Sequence, residues 1–140
     1  MRALVLDSAA VSVLSRYSQQ TPEFAQAHAF LTAAVRTGSP IRVPAAVLAE
    51  QYRGRPYDQA IDAFLSRQKA WVKVVDTDRD LARVVGNLLA RHHRGSADHV
   101  DATVVATASR LGGGTILTSD SGDIEVLASG HPNIQIALLH

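Results

Sequence analysis

The apolar positions of this 140-residue chain fall in short runs divided by polar residues, and their spacing alternates between continuous runs and helical periods. Ala3 to Leu6 is a continuous run ending at Asp7, the pattern of a buried parallel strand whose C-terminal end meets solvent. Asp7 or Ser8 then caps a helix to about Tyr17. Pro22 opens a second helix, in which Phe24, Ala27, Phe30, Leu31, Ala34 and Val35 recur at helical spacing until Gly38. Ile41 to Val43 reads as a second strand, and Pro44 starts a small helix, Ala45 to about Tyr52, which Gly54 and Pro56 end. Next come a helix over Tyr57 to Lys69, a strand over Trp71 to Val75, and a helix capped by Asp76 or Thr77 that runs to His92-His93-Arg94. Ser96 caps a further helix to Leu111, and Thr115 to Leu117 is a fourth strand. A helix from about Ser121 to Ala128 and a strand from Ile134 to Leu138 finish the chain.

Strands alternate with helices, the strands are apolar on both faces, and no Asn-Gly or similar signal joins neighbouring strands into a hairpin. The expected fold is a single α/β domain over residues 1–140, three layers thick, with a mainly parallel central sheet flanked by helices. A content of 46% hydrophobic and 19% charged residues suits one such core. The absence of cysteine excludes a disulfide framework, a thiol nucleophile and thiolate zinc sites, and fits a cytoplasmic address. Asp7 interrupts the N-terminal apolar run, and no stretch reaches the ~18 apolar residues of a spanning helix, so neither export nor membrane insertion is expected. Fourteen Lys and Arg against thirteen Asp and Glu leave +1, which alone argues against a nucleic-acid partner.

In open parallel sheets ligands sit beyond the carboxyl ends of the strands. Asp7 follows the first strand and Asp120 the fourth, so both point to the same edge of the sheet; each alone could simply cap the next helix. Asp98 and Asp101 share a face near the start of one helix, where the dipole favours negative charge. That accounts for Asp98 better than for Asp101, because the helix from Val100 to Ala108 is apolar nearly all round and a buried carboxylate needs a partner. Glu50 ends Ala45 to Ala49 near a helix C-terminus, where its charge opposes the dipole, and a surface pair with Arg53 is the simple alternative. Asp123, three residues after Asp120, suits a capping role as well as a metal role. Carboxylates from separate segments, with no cysteine and no histidine ligand set, suit a hard divalent cation held by oxygen, Mg²⁺ or Mn²⁺, and hydrolysis at phosphorus.

The order LVLD, AAVLAEQ, VDATVVATA and ILTSD, spanning nearly the whole chain, resembles the PIN-domain fold and within it the VapC toxins of bacterial toxin–antitoxin pairs. The resemblance implies a magnesium-dependent endoribonuclease that inhibits translation and growth. By position, Asp7, Glu50, Asp101 and Asp120 resemble that family's four catalytic acids, and Thr118 its supporting hydroxyl; Asp98 and Asp123 match acids that vary among relatives. Asp7, Asp101 and Asp120 would bind the metal, while Glu50 would activate water or complete a second metal site. Gly122 departs from the pattern, standing where many relatives carry another acid. The resemblance also implies a VapB-type antitoxin as partner, whose C-terminal segment covers the acidic pocket, and a homodimer.

Arg53, Arg55, Arg91 and Arg94 are candidates for holding RNA phosphates, although solvated charge at helix ends explains any single one. His92, His93 and His99 make a poor zinc set. Phe30, Phe64 and Trp71 sit on apolar patterns and are expected in the core. A phosphoacceptor receiver is disfavoured because no lysine follows Lys73, and a haloacid-dehalogenase-type phosphatase because Asp7-Ser8-Ala9 lacks its second acid. A PIN-like domain that binds RNA or a partner without cutting is the remaining alternative.

Overall fold

The computed structural model of the chain describes residues 2–16 and 21–140. Its strands, β1 (Ala3–Leu6), β2 (Ile41–Pro44), β3 (Val72–Val75), β4 (Gly114–Thr118) and β5 (Ile134–Leu138), form one sheet in the order β3-β2-β1-β4-β5. Every neighbouring pair is parallel, with Leu4 beside Ile41 on one flank of β1 and beside Thr115 on the other. Parallel neighbours cannot be joined by tight hairpins, so each connection carries a helix. Among the described residues these are α1 (Ser8–Ser15), α2 (Pro22–Thr37), α3 (Ala45–Gln51), α4 (Tyr57–Arg67), α5 (Arg79–Arg91), α6 (His99–Arg110) and α7 (Gly122–Ala128). Crossovers that step outward from β1 to β3 and then return to β4 and β5 send helices to both faces. Accordingly α1 packs with α2 and α4, and α6 with α5 and α7, in the three layers expected.

The inner strands are buried as their apolar runs require: all four residues of β1 and every residue of β4 except Thr115. The edge strands are not apolar on both faces. β3 exposes Lys73 and Val74, and β5 exposes Gln135 and Leu138, because an edge strand has a neighbour on one side only. β4 begins at Gly114 because a Cβ there would collide with the Ala3 carbonyl across the ladder. Over β1 and β4 lies α6, buried at every position from Ala102 to Ala108.

Several sequence expectations need correction. Trp71 is 51% and Phe30 38% exposed, whereas Phe64 is in the core. The buried stripe of α2 is Ala27, Leu31 and Ala34, and Phe30 is rotated off it; Trp71 precedes an edge strand. The cap of α5 is Asp78, whose Oδ1 accepts from Leu81 N at 2.8 Å, not Asp76 or Thr77. Ser96 opens a short 3₁₀ turn, Ser96–Asp98, and α6 starts only at His99. The first helix ends at Ser15, and Tyr17 lies outside the described residues.

Candidate functional site

The direction of chain progression reverses between β1 and β4, the arrangement that opens a crevice at the carboxyl edge of a parallel sheet. Asp7 leaves β1 and Asp120 leaves β4 at this point. The crevice is lined by Asp7, Ser8, Glu50, Asp101, Asp120 and Asp123, with Thr118 at its base. Its volume of about 180 Å³ is far above the ~10–15 Å³ that one water needs, enough for a partly hydrated cation. The structure thus brings together the four acids singled out as catalytic.

Asp7 does two things at once. Its Oδ1 accepts from Ala10 N at 3.0 Å and caps α1, yet the residue is buried in the wall of the crevice. Burial pushes its carboxyl above the usual range and the charge of Glu50 adds to this, while the Thr118 hydroxyl and the Ala10 and Ala9 amides oppose it. Thr118, also buried, braces the turn after β4: its Oγ1 donates to the Asp120 carbonyl and accepts from Asp120 N, both at 3.1 Å. Asp120 itself is exposed, and its Oδ1 accepts from Gly122 N at 3.2 Å.

The 3₁₀ turn before α6 changes the roles of Asp98 and Asp101. With the helix starting at His99, Asp101 occupies the first turn, the favourable end of the dipole, whereas Asp98 is the N-cap residue but makes no side-chain cap bond. The Asp101 carboxyl is nevertheless pushed up to about 6, first by burial and then by the charges of Asp123, Asp7, Glu50 and Asp98. Carboxylate oxygens of Asp98, Asp101 and Asp123 lie within 4.8 Å of one another, a separation that one oxygen-ligated cation can bridge. The donors are all carboxylates, so the set fits Mg²⁺ or Mn²⁺ and not zinc. These acids include two that the sequence placed in a supporting role.

Arg94 reaches the same cluster. Its Nη1 lies 2.9 Å from Asp123 Oδ1 and 3.6 Å from Asp98 Oδ2. The end of α5 delivers it there: Arg94 N donates to Leu89 O at 2.8 Å and His93 N to Ala90 O at 3.2 Å, with His93 in the left-handed conformation at φ 54°. Arg53 makes no ion pair with Glu50; its Nη1 donates to the carbonyls of Ala49 at 2.8 Å and Tyr52 at 2.7 Å, closing the end of α3. Arg55 and Arg91 are exposed. Glu50 instead accepts from Ser8 Oγ. Sequence reading considered Ser8 only as a cap; its place beside Asp7 at a strand end was the available signal.

No family model matches the chain, and neither does any curated protein. Solved structures do. The chain superposes on VapBC2 from Rickettsia felis, crystallised with a DNA fragment from its promoter, with a TM-score of 0.65 at 14% identity over 99% of each chain. DNA-bound VapBC from Salmonella typhimurium gives a TM-score of 0.63 at 18% identity over the whole of both chains. VapBC-5 from Mycobacterium tuberculosis, a member of the VapBC family of toxin–antitoxin systems, gives 0.53 at 19% over 99% of each. The chain therefore shares its full-length, PIN-like three-layer α/β fold with proteins of VapBC toxin–antitoxin complexes.

Proposed function

We propose that the chain is a VapC-like toxin, one PIN domain over residues 1–140. It hydrolyses RNA phosphodiester bonds as a Mg²⁺-dependent endoribonuclease, with Mn²⁺ as a substitute, and so inhibits translation and growth. It acts in the cytoplasm, with a cognate VapB-type antitoxin as its inhibitor and a homodimer as its assembly. The observation that supports this best is the convergence of Asp7, Glu50, Asp101 and Asp120, from four separate segments, on the crevice at the switch point of the sheet.

Two of these carboxyls, Asp7 and Asp101, are held above their ordinary range by burial and by their acidic neighbours. Such a cluster is destabilised by its own charge, and a divalent cation relieves it. Asp7, Asp101 and Asp120 would hold the ion, and Asp98 and Asp123 extend the donor set. Bound there, the ion supplies charge neutralisation at the scissile phosphate and a more acidic water. Glu50, at the rim, takes the proton of the attacking water. Thr118 keeps Asp120 turned toward the crevice through its two bonds to the Asp120 main chain. The exposed Arg55 and Arg91, with Arg53 at the end of α3, would contact RNA phosphates, and so would Arg94, which pairs with Asp123 and Asp98 in the protein alone. A basic side chain of the antitoxin would compete for the same carboxylates.

The test is RNA cleavage by purified protein with Mg²⁺ or Mn²⁺. Asp7→Asn keeps the cap of α1, since Asn caps as well as Asp, so its fold survives. Cleavage should fall by about 10²-fold or more in Asp7→Asn and Asp101→Asn, and EDTA should abolish it. A parent protein that binds RNA or an antitoxin but cuts no cellular RNA with either metal would favour a non-cleaving PIN-like binding domain.

A further inference from the structure

Glu50 reaches the crevice from an exposed position on a short helix. It sits near the C-terminal end of α3, whose carbonyls repel negative charge, and it is exposed. Asp7 and Asp101 line the same crevice, so like charges face it there. Arg53, the cation nearest in sequence, is turned onto the α3 carbonyls instead. Among the bonds of the described residues, the one that draws the Glu50 side chain inward is donated by Ser8 Oγ.

We propose that Ser8 is a positioning residue: its hydroxyl holds the Glu50 carboxylate over the crevice in the geometry needed for proton transfer. Ser8 can do this because it is the first residue of α1, next to Asp7, and so projects from the same strand end as the acids it serves. A hydrogen bond to an ionised carboxylate is stronger than one between neutral groups, which suits a single hydroxyl to oppose the repulsion. This inference deepens the nuclease reading, yet the contact it describes exists in the protein alone and can be tested there.

The experiment uses Ser8→Ala, Ser8→Thr and Glu50→Gln in the full chain. The Ser8→Ala variant should lower kcat about tenfold or more with KM unchanged, since positioning matters in the transition state and not in RNA binding. Ser8→Thr, which retains the hydroxyl, should restore most of it. Combined with Glu50→Gln, Ser8→Ala should cost nothing further, because a residue that acts only through Glu50 has nothing left to act on. A full additional loss in the double variant, or a Ser8→Ala enzyme as fast as the parent, overturns the proposal. A second measurement stands apart from activity: the ¹³C carboxyl signal of Glu50 should move toward that of a free glutamate in Ser8→Ala and not in Ser8→Thr. If the signal stays in place the anchor is refuted, even in a protein that cuts no RNA. Loss of cleavage sensitivity to Asp7→Asn with the Glu50 signal still moved would instead refute the nuclease reading and leave the anchor standing.

Discussion

Asp101 is held among acidic neighbours at a cost to the fold. Its ordinary pKa of 3.8 rises to about 6 in the folded protein. Between those values the folded state keeps a proton that the unfolded chain has lost. Stability of the metal-free protein therefore declines as pH rises through that window, and is fully present below it. Asp7 is shifted in the same direction. In EDTA, Asp101→Asn should melt at a higher temperature than the parent at about pH 7.5, and the gap should narrow as pH falls through 6 and close only below the ordinary value of 3.8. Added Mg²⁺ should raise the parent's Tm at the higher pH and do so less at the lower, because the ion binds only the ionised carboxylates. Calorimetric melts over this range check it, and an Asp101→Asn protein less stable than the parent at neutral pH would contradict it.

At the scale of elements, two backbone positions fix how neighbouring segments meet. Gly114 lets β4 approach β1 closely, where a Cβ would meet the Ala3 carbonyl and backbone atoms that cannot move aside. Gly114→Ala should cost about 2 kcal/mol or more, measured by urea unfolding, because it forces the start of β4 away from Ala3 of β1. His93 ends α5 in the left-handed conformation that glycine adopts without strain. His93→Gly should therefore stabilise the protein by about 0.5–1 kcal/mol, seen as a small rise in Tm, while the turn that carries Arg94 to Asp123 is retained. The helices themselves were legible because their signals are local: Pro22 at the start of α2, Gly38 at its end, and the apolar stripe of α5. The start of α6 was not, since Ser96 is an equally good local cap and only the 3₁₀ turn before His99 decides which residue begins the helix.

At the scale of the whole molecule, the net charge of +1 conceals a separation. Six of the thirteen acids, Asp7, Glu50, Asp98, Asp101, Asp120 and Asp123, meet at one edge of the sheet, leaving seven against fourteen bases elsewhere. One of those bases, Arg94, is drawn into the acidic cluster. If the proposed function holds, RNA affinity should fall as salt rises, with a shallower slope in a variant lacking Arg55 and Arg91; filter binding across a salt series checks it. The sequence by itself determined the alternation of strands and helices, the parallel sheet and the candidacy of each acid, because apolar period, capping residues and strand ends act over a few neighbouring residues. Only the tertiary structure decided that the strand order turns back between β1 and β4, and with it that residues 7, 50, 101 and 120 share one crevice. It also decided that Ser8 holds Glu50 and that Arg94 faces Asp98 and Asp123. Apart from Arg94 and Asp98, four residues apart, those contacts join positions distant in the chain, and burial and repulsion among them depend on distances in space that no local pattern encodes.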